Sequence, residues 1–330
     1  MKKIVLSAIA AAVLSATSAF AADMPVKAKM MPAPEPSPWD WAFGSALMSD
    51  YNFRGISQSN RGESVTAYSE TRYNATSAVQ LYFGQQYWAV TLPTNPTCEC
   101  DIYGGIRPTV GSLTFDLGAI YYWYTKEKQH ATGAIPVAPF PAYPNGNQTL
   151  RDTDFWEVYG KVTWEAMKDR LTLGGNVYYS PSWLHTGASG TYASVTAKFT
   201  GDPVKVNLMG MNEIGWYVSG EVGHYFLGTT NFVPPILVNP ITGIGGVPLP
   251  DYTTWNAGLA FTYKVATLDL RYYDTDLSKA KCNVLTGDPN ATFAAGNVTP
   301  LNPGGFGSKW CGAAFVAAMK FDLTFMTNVK

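Results

Sequence analysis

Residues 315–325 read FVAAMKFDLTF, and their reading decides the fold. Phe315, Ala317, Met319, Phe321, Leu323 and Phe325 fall on one face, and Val316, Ala318, Lys320, Asp322 and Thr324 on the other. A period of two with one continuous apolar face and one small or polar face is a β-strand whose two sides meet different surroundings. A dozen residues at about 3.3 Å each reach ~40 Å. That is long for a strand of a soluble domain and comfortable for a tilted strand crossing a bilayer.

The pattern recurs upstream. In 112–125, Leu113, Phe115, Leu117, Ala119, Tyr121 and Trp123 oppose Asp116, Gly118 and Tyr122. In 155–165, Trp156, Val158, Val162 and Trp164 oppose Glu157, Lys161 and Glu165, and in 267–274 Leu268, Leu270 and Tyr272 oppose Asp269 and Arg271. Segment 171–180 alternates likewise, and 40–53, 63–73, 78–90, 100–109, 191–199, 213–226 and 252–264 are less regular members. Twelve strands are therefore expected. Ten or fourteen are the alternatives, because 200–212 and 277–309 can hide or lose a pair. Tight links near Ala75, Gly111, Lys168 and Val265 alternate with long ones at 54–62, 91–99, 126–152, 182–190, 227–251 and 277–309. Short turns at one end and long loops at the other define an all-β class, a transmembrane antiparallel up-and-down β-barrel of about 12 strands in an outer membrane.

Composition agrees. Charged residues make up 14%, against roughly 25% in soluble domains, and aromatics another 14%. A soluble all-β core is the competing reading, and it fits so many long strands and so few charges poorly. Trp39, Trp41, Tyr51, Phe53, Tyr87, Trp88, Tyr121 to Tyr124, Trp183, Tyr225 and Phe226 lie near strand ends and are expected to form the interfacial girdles. No later stretch approaches the ~18 consecutive apolar residues of a membrane helix. At the N-terminus, Lys2 and Lys3, a short apolar run and Ala19-Phe20-Ala21 have the layout of a signal peptide over 1–21. Residues 22–38 are a Pro-rich extended segment, and the barrel occupies 39–330.

The chemistry expected of this chain is sparse. His130, His185 and His224 have no nucleophile arrangement beside them, no G-x-S-x-G elbow occurs, and the expectation is no catalytic residue and no enzyme. Asp152/Asp154 and Asp274/Asp276 are rim carboxylates, which more often face water than hold a cation. Cys98 and Cys100 lack the spacing of a zinc site. In an oxidising compartment Cys282 and Cys311 are expected to pair, with the state of Cys98 and Cys100 left open. No metal and no cofactor is expected. The informative residues are those of the inward face: Glu70, Arg72, Asp101, Arg107, Asp116, Glu157, Lys161, Glu165, Glu221, Asp269, Arg271, Lys320 and Asp322. They either pair with one another to hold the wall or line an aqueous path. Both signs occur, so no strong selectivity is inferred.

Near the start of the mature chain stands SDYNFRGISQS, residues 49–59, with Ser49, Asp50, Tyr51, Phe53, Arg54, Gly55, Ile56, Ser57, Gln58 and Ser59. This motif resembles the TorF family of porins of Gram-negative bacteria, and with the barrel pattern the resemblance extends over roughly 39–330. The Ala-Asp-Met-Pro-Val-Lys lead-in is similar to outer-membrane proteins of rhizobium-type alphaproteobacteria. The resemblance implies an outer-membrane β-barrel. Such barrels commonly end on an aromatic, whereas this chain runs on past Phe325. The function expected is a porin-like channel for passive passage of small polar solutes, the alternative a non-conducting barrel with an adhesive or structural role. The expected partners are outer-membrane lipid and lipopolysaccharide, the barrel-assembly machinery and small polar solutes. A net charge of −1 gives no reason to expect nucleic acid. Residues 49–62 are expected to turn the first strand into the first outer loop. Tyr51 and Phe53 would then lie at the membrane interface, Gly55 would ease the bend, and Arg54 would pair with Asp50 or Glu63.

Overall fold

The computed structural model describes residues 37–128, 152–208, 211–231, 246, 248–288, 292–293 and 306–328. Residues 1–21, nearly all of 22–38 and His130 lie outside these. Twelve strands form the wall: β1 (Trp39–Met48), β2 (Ser64–Thr76), β3 (Val79–Trp88), β4 (Glu99–Val110), β5 (Leu113–Tyr124), β6 (Phe155–Met167), β7 (Leu171–Ser180), β8 (Gly190–Thr200), β9 (Met211–Leu227), β10 (Tyr252–Tyr263), β11 (Ala266–Thr275) and β12 (Ala314–Thr324). Each pairs antiparallel with its neighbour in sequence, and β1 pairs with β12 to close the barrel. Closure removes every sheet edge, and with it the unpaired backbone groups that lipid cannot satisfy.

The alternation seen in sequence is the alternation of faces. On β1, Trp39, Trp41, Phe43 and Leu47 are exposed outward while Asp40, Ala42, Ala46 and Met48 are buried inside. Outward apolar side chains such as Phe83 (61% exposed), Val195 (65%) and Phe315 (68%) stay largely uncovered by protein, as a lipid-facing band requires. The tight turns β4–β5, β6–β7 and β10–β11 each place one residue at positive φ: Gly111 (63°), Asp169 (57°) and Lys264 (52°). That matches the twist of a hairpin connection. The link 200–212 is a hairpin extension, in which Val204–Leu208 pairs with the first residues of β9.

Three expectations are corrected here. The first strand stops at Met48, not at 53, because Ser49 onward turns inward. Phe325 does not end the last strand: it opens a helical turn, Phe325–Asn328, and packs edge-on against Trp41 at 5.9 Å. The girdle is smaller than expected. Trp39, Trp41, Tyr87, Tyr121, Trp123 and Phe226 face outward, whereas Tyr51, Tyr122, Tyr124, Trp183 and Tyr225 are buried inside and Phe53 and Trp88 partly so. Both disulfides are formed, Cys98–Cys100 and Cys282–Cys311.

Candidate functional site

The interior has two tiers. Toward the short-turn end the charged residues pair along the wall. Arg107 donates to both oxygens of Glu70 (2.8 and 3.0 Å) and to Asp116 (3.4 Å), and its guanidinium covers the Tyr82 ring at 3.6 Å. Arg72 shares Glu70 at 2.6 Å, and Lys161 lies 3.9 Å from Asp116, which also accepts from the Tyr82 hydroxyl. On the opposite wall Asp269 holds Lys320 (2.8 Å) and Arg271 (3.3 Å), and Arg271 reaches Asn256 and Ser219. These cations keep solvent contact, with side chains 24% (Arg107), 32% (Lys161) and 39% (Lys320) accessible. Water therefore reaches the lumen at this level.

Toward the long-loop end the tier is dry. The first long loop, 49–63, does not rise from the rim but folds back into the barrel. A two-residue ladder, Asn52–Phe53 against Ile56–Ser57, makes a small hairpin with Arg54 and Gly55 at its tip. Asn52 Oδ1 accepts from the Gly55 amide at 2.9 Å, fixing the turn. Gly55 has φ +87°, and a Cβ there would come within 2.3 Å of Thr275 and 2.4 Å of Thr254, so no other residue fits without displacing the tip from the wall. Behind the tip Asp50 gathers the loop: it accepts from Ser57 (2.5 Å), Ser59 (2.9 Å) and Arg61 (3.2 Å). The last long loop covers it. Ser57 donates its amide to the Trp310 carbonyl, Trp310 Nε1 donates to Asn60, and the Cys282–Cys311 bridge ties this cover to the helix α1 (Lys279–Thr286).

Arg54 is where loop meets wall. Its Nη1 and Nη2 donate to the two carboxylate oxygens of Glu157 on β6, each at 2.7 Å, and the pair is 6% and 0% accessible. Glu157 also accepts from the hydroxyls of Tyr122 (3.0 Å) and Tyr225 (3.3 Å). Around the guanidinium stand the rings of Phe53, Tyr178, Tyr192 and Tyr225, with centroids 4.5–5.0 Å away. The expected partners Asp50 and Glu63 are thus corrected: Asp50 is taken by Arg61, and the carboxylate for Arg54 comes from across the lumen. Tyr51 likewise turns in, stacking on Trp88 at 4.0 Å and donating to Glu99 at 2.7 Å. Burial, then the charges of Glu99 and Asp101, pushes its phenol well above the ordinary value, so it stays a neutral donor.

The tyrosines belong to a continuous belt. Tyr159, Tyr178, Tyr192, Tyr225 and Tyr252 sit on consecutive strands β6 to β10 and are direct cross-strand partners. Successive ring centroids are 5.4, 6.4, 5.7 and 5.9 Å apart. Gly223 and Gly118 make room for it: a Cβ would come within 2.2 Å of the Tyr192 hydroxyl and 2.6 Å of the Tyr159 hydroxyl. Inward parity on each strand marks these tyrosines, but their registration emerges only once the strands are paired.

Of the other inward residues, Glu221 accepts from Tyr192 (3.0 Å) and Asp322 from Tyr68 (2.8 Å). Asp101 is buried and accepts from Trp88 at 3.1 Å. Glu165 joins neither tier: it is exposed at the short-turn end and accepts the Asp169 amide. Glu99 and Asp40, inward and buried, are the first and second residues of their strands, where the alternation has barely begun and spacing assigns no face. Asp154 and Asp274 at the rim accept from Tyr121 and Tyr272. Among the described residues no cluster of His, Cys, Asp and Glu has the arrangement of a metal site.

Residues 33–182, under half of the chain, match the model of a family described as "Bacterial protein of unknown function (Gcw_chp)". This match does not test the resemblance to TorF. No curated protein sequence matches the chain. Among solved structures, the chain is similar to an outer membrane channel from Pseudomonas putida F1, with 9% identity, a TM-score of 0.42, and coverage of 90% of this chain and 100% of that one. It is also similar to the Pseudomonas putida toluene transporter TodX, with 9% identity, a TM-score of 0.37, and coverage of 88% and 89%. LpxR from Salmonella typhimurium gives 9% identity, a TM-score of 0.37, and coverage of 86% and 99%.

Proposed function

We propose that this chain is an outer-membrane channel for small polar solutes, closed at its outer end by its own first loop. The single observation that carries the reading is the wet tier: paired cations, four of the five a quarter to two-fifths accessible, inside a closed barrel with an apolar exterior. A polar, hydrated interior behind a lipid-facing wall is what passage of polar solutes requires. The loop supplies the plug and wall tyrosines pack around it, so the plug can be withdrawn without unfolding the barrel. The long loops then face the outside, the short turns the periplasm, and lipid with lipopolysaccharide covers the apolar band. The barrel-assembly machinery inserts the chain, and the signal peptide at 1–21 brings it there. The reading gives the lumen a transport role and no catalytic one.

A second reading, the non-conducting structural barrel, draws support from the dry tier, where Tyr122, Phe155, Trp183, Tyr192, Tyr225, Tyr252 and Trp310 form one core with Ile56 of the loop. Planar-bilayer recording on the refolded chain separates the two, with Gly55→Val as the loop-loosening variant. The channel reading expects discrete conductance steps, more frequent in the variant. A folded barrel that gives no steps above background in either form refutes it and leaves the structural reading.

A further inference from the structure

The contacts of Arg54 describe a receptor as well as a latch. Glu157, Tyr122, Tyr178, Tyr192 and Tyr225 all belong to the wall, and they present a fully buried carboxylate with a bidentate acceptor edge, two hydroxyl donors holding that carboxylate, and ring faces around the bound group. A planar cation that donates two parallel N–H groups and stacks on aromatic faces satisfies every element of this site. The guanidinium seated there is supplied by a loop. Among the described residues Glu157 differs in this from the other ion-paired wall carboxylates: Asp40, Glu70, Asp116 and Asp269 draw their cations from neighbouring wall positions. The wall thus builds the charge, the hydroxyls and three of the four rings, and the loop contributes only the occupant and Phe53.

We infer that this cage is a binding site for guanidinium-bearing solutes, and that Arg54 occupies it as a tethered stand-in for the solute while the loop is docked. The assignment deepens the channel reading by naming the solute class, and it rests on that reading for the route by which solute arrives. The belt extends the site laterally. Lys161 Nζ lies 4.4 Å from the Tyr159 centroid and 5.5 Å from that of Tyr178, so the same row of rings already holds a second cation on the way to the wet tier.

The test is chemical rescue. In the refolded full-length Arg54→Ala protein the cage is empty, and methylguanidinium at about 10 mM, far below the molar range in which guanidinium denatures, fills it. The unfolding midpoint is expected to rise by about 2–4 °C over the same concentration of sodium chloride, the shift of a ligand a few-fold above its dissociation constant. Neither the wild type nor the Arg54→Ala/Glu157→Gln variant is expected to show the difference. If Arg54→Ala does not refold alone, recovery of folded barrel in methylguanidinium but not in sodium is the same positive result. Arg54→Gln, neutral and shorter, fills part of the cage; it is then the folded reference and should show a smaller rise. Equal behaviour in methylguanidinium and sodium for Arg54→Ala or Arg54→Gln overturns the assignment. Rescue without conductance in any variant retains the site and removes the channel, and conductance without rescue does the reverse.

Discussion

Replacing Arg54 by Met removes a charge from a place where its partner has no access to water. Glu157 would lose two charge-assisted hydrogen bonds of 2.7 Å and keep the two tyrosine hydroxyls at 3.0 and 3.3 Å. Breaking a buried ion pair from one side costs about 3–5 kcal/mol. The surviving donors and the apolar packing of methionine against the four rings place the variant at the lower end, about 3 kcal/mol. That cost acts first on the docked loop, since the hairpin can leave the lumen before any wall strand opens. A 3 kcal/mol loss multiplies the undocked population on the order of 10²-fold. Arg61 reports it. It sits behind the tip and donates to Asp50 at 3.2 Å and to the carbonyls of Lys309 and Gly312, contacts that must break before the bond after it can enter trypsin. Cleavage after Arg61 in the refolded barrel should therefore accelerate by about that factor. Glu157→Gln should cost less, about 2 kcal/mol, because the stranded guanidinium keeps its aromatic faces. The double variant should fall short of the sum by about 2 kcal/mol of coupling. Cleavage within threefold of wild type in Arg54→Met, or no coupling in the cycle, would refute the claim that this pair holds the loop.

Val195→Arg places a cation on the middle of the outward face of β8 and should destabilise the barrel in lipid by about 2–4 kcal/mol; a cost below about 1 kcal/mol on urea titration in vesicles would mean that this face does not meet hydrocarbon. Gly55→Val must displace Thr254 and Thr275 and adopt φ +87°, so it should undock the hairpin while the wall stays intact, read as tryptic cleavage after Arg61 with unchanged heat-modifiable mobility. Tyr51→Phe strips Glu99 of a donor at 2.7 Å and should cost about 1–3 kcal/mol of loop docking. Because the Tyr51 phenol is raised in the folded state, its contribution is fully present below the ordinary phenol value of about 10 and drains away as pH rises beyond it. Loop protection should therefore fall in strong alkali in the wild type and less steeply in Tyr51→Phe, measured by the same cleavage. Reducing the Cys282–Cys311 bridge frees a 29-residue separation and should expose the helix Lys279–Thr286 to protease while the strands remain folded.

The wall was legible because a barrel strand has unlike faces along its whole length. Phe315 to Thr324, Leu113 to Tyr124 and Phe155 to Trp164 alternate along most of their length, with charges inside and apolar groups outside except where Ile120, Tyr122, Phe155 and Val316 turn inward. What the alternation does not carry is which loop returns to the lumen. At Met48 the period of two ends, and Tyr51 and Phe53 beyond it have no face that spacing can assign. Proximity to a strand end suggested the membrane interface for both, yet a buried carboxylate and a tryptophan ring inside the barrel draw Tyr51 inward. Arg54 and Glu157 lie 103 residues apart, and only closure of the sheet brings them together. The tyrosine belt was half legible. Each member stands on the polar side of its strand near the long-loop end, a position where tyrosine is as natural in a girdle as in a lumen.

The chemistry chosen for the closure bears on what the closure is for. A hairpin capped by leucine or phenylalanine would dock in an aromatic lumen at least as firmly, since exchanging a buried ion pair for apolar side chains is commonly neutral or stabilising. An apolar plug, however, would be indifferent to the ionic solutes outside. The tip instead carries a guanidinium into a carboxylate held by two tyrosines, where each interaction that seats Arg54 is one that a free guanidinium can also make. Competition for Glu157 then couples loop position to solute, because a ligand shifts an equilibrium only through its differential affinity for the two states. Here the difference is absolute, the cage being filled in one state and empty in the other. On the proposed reading, the same buried pair that gives the closed state its register makes it yield to guanidinium-bearing solutes.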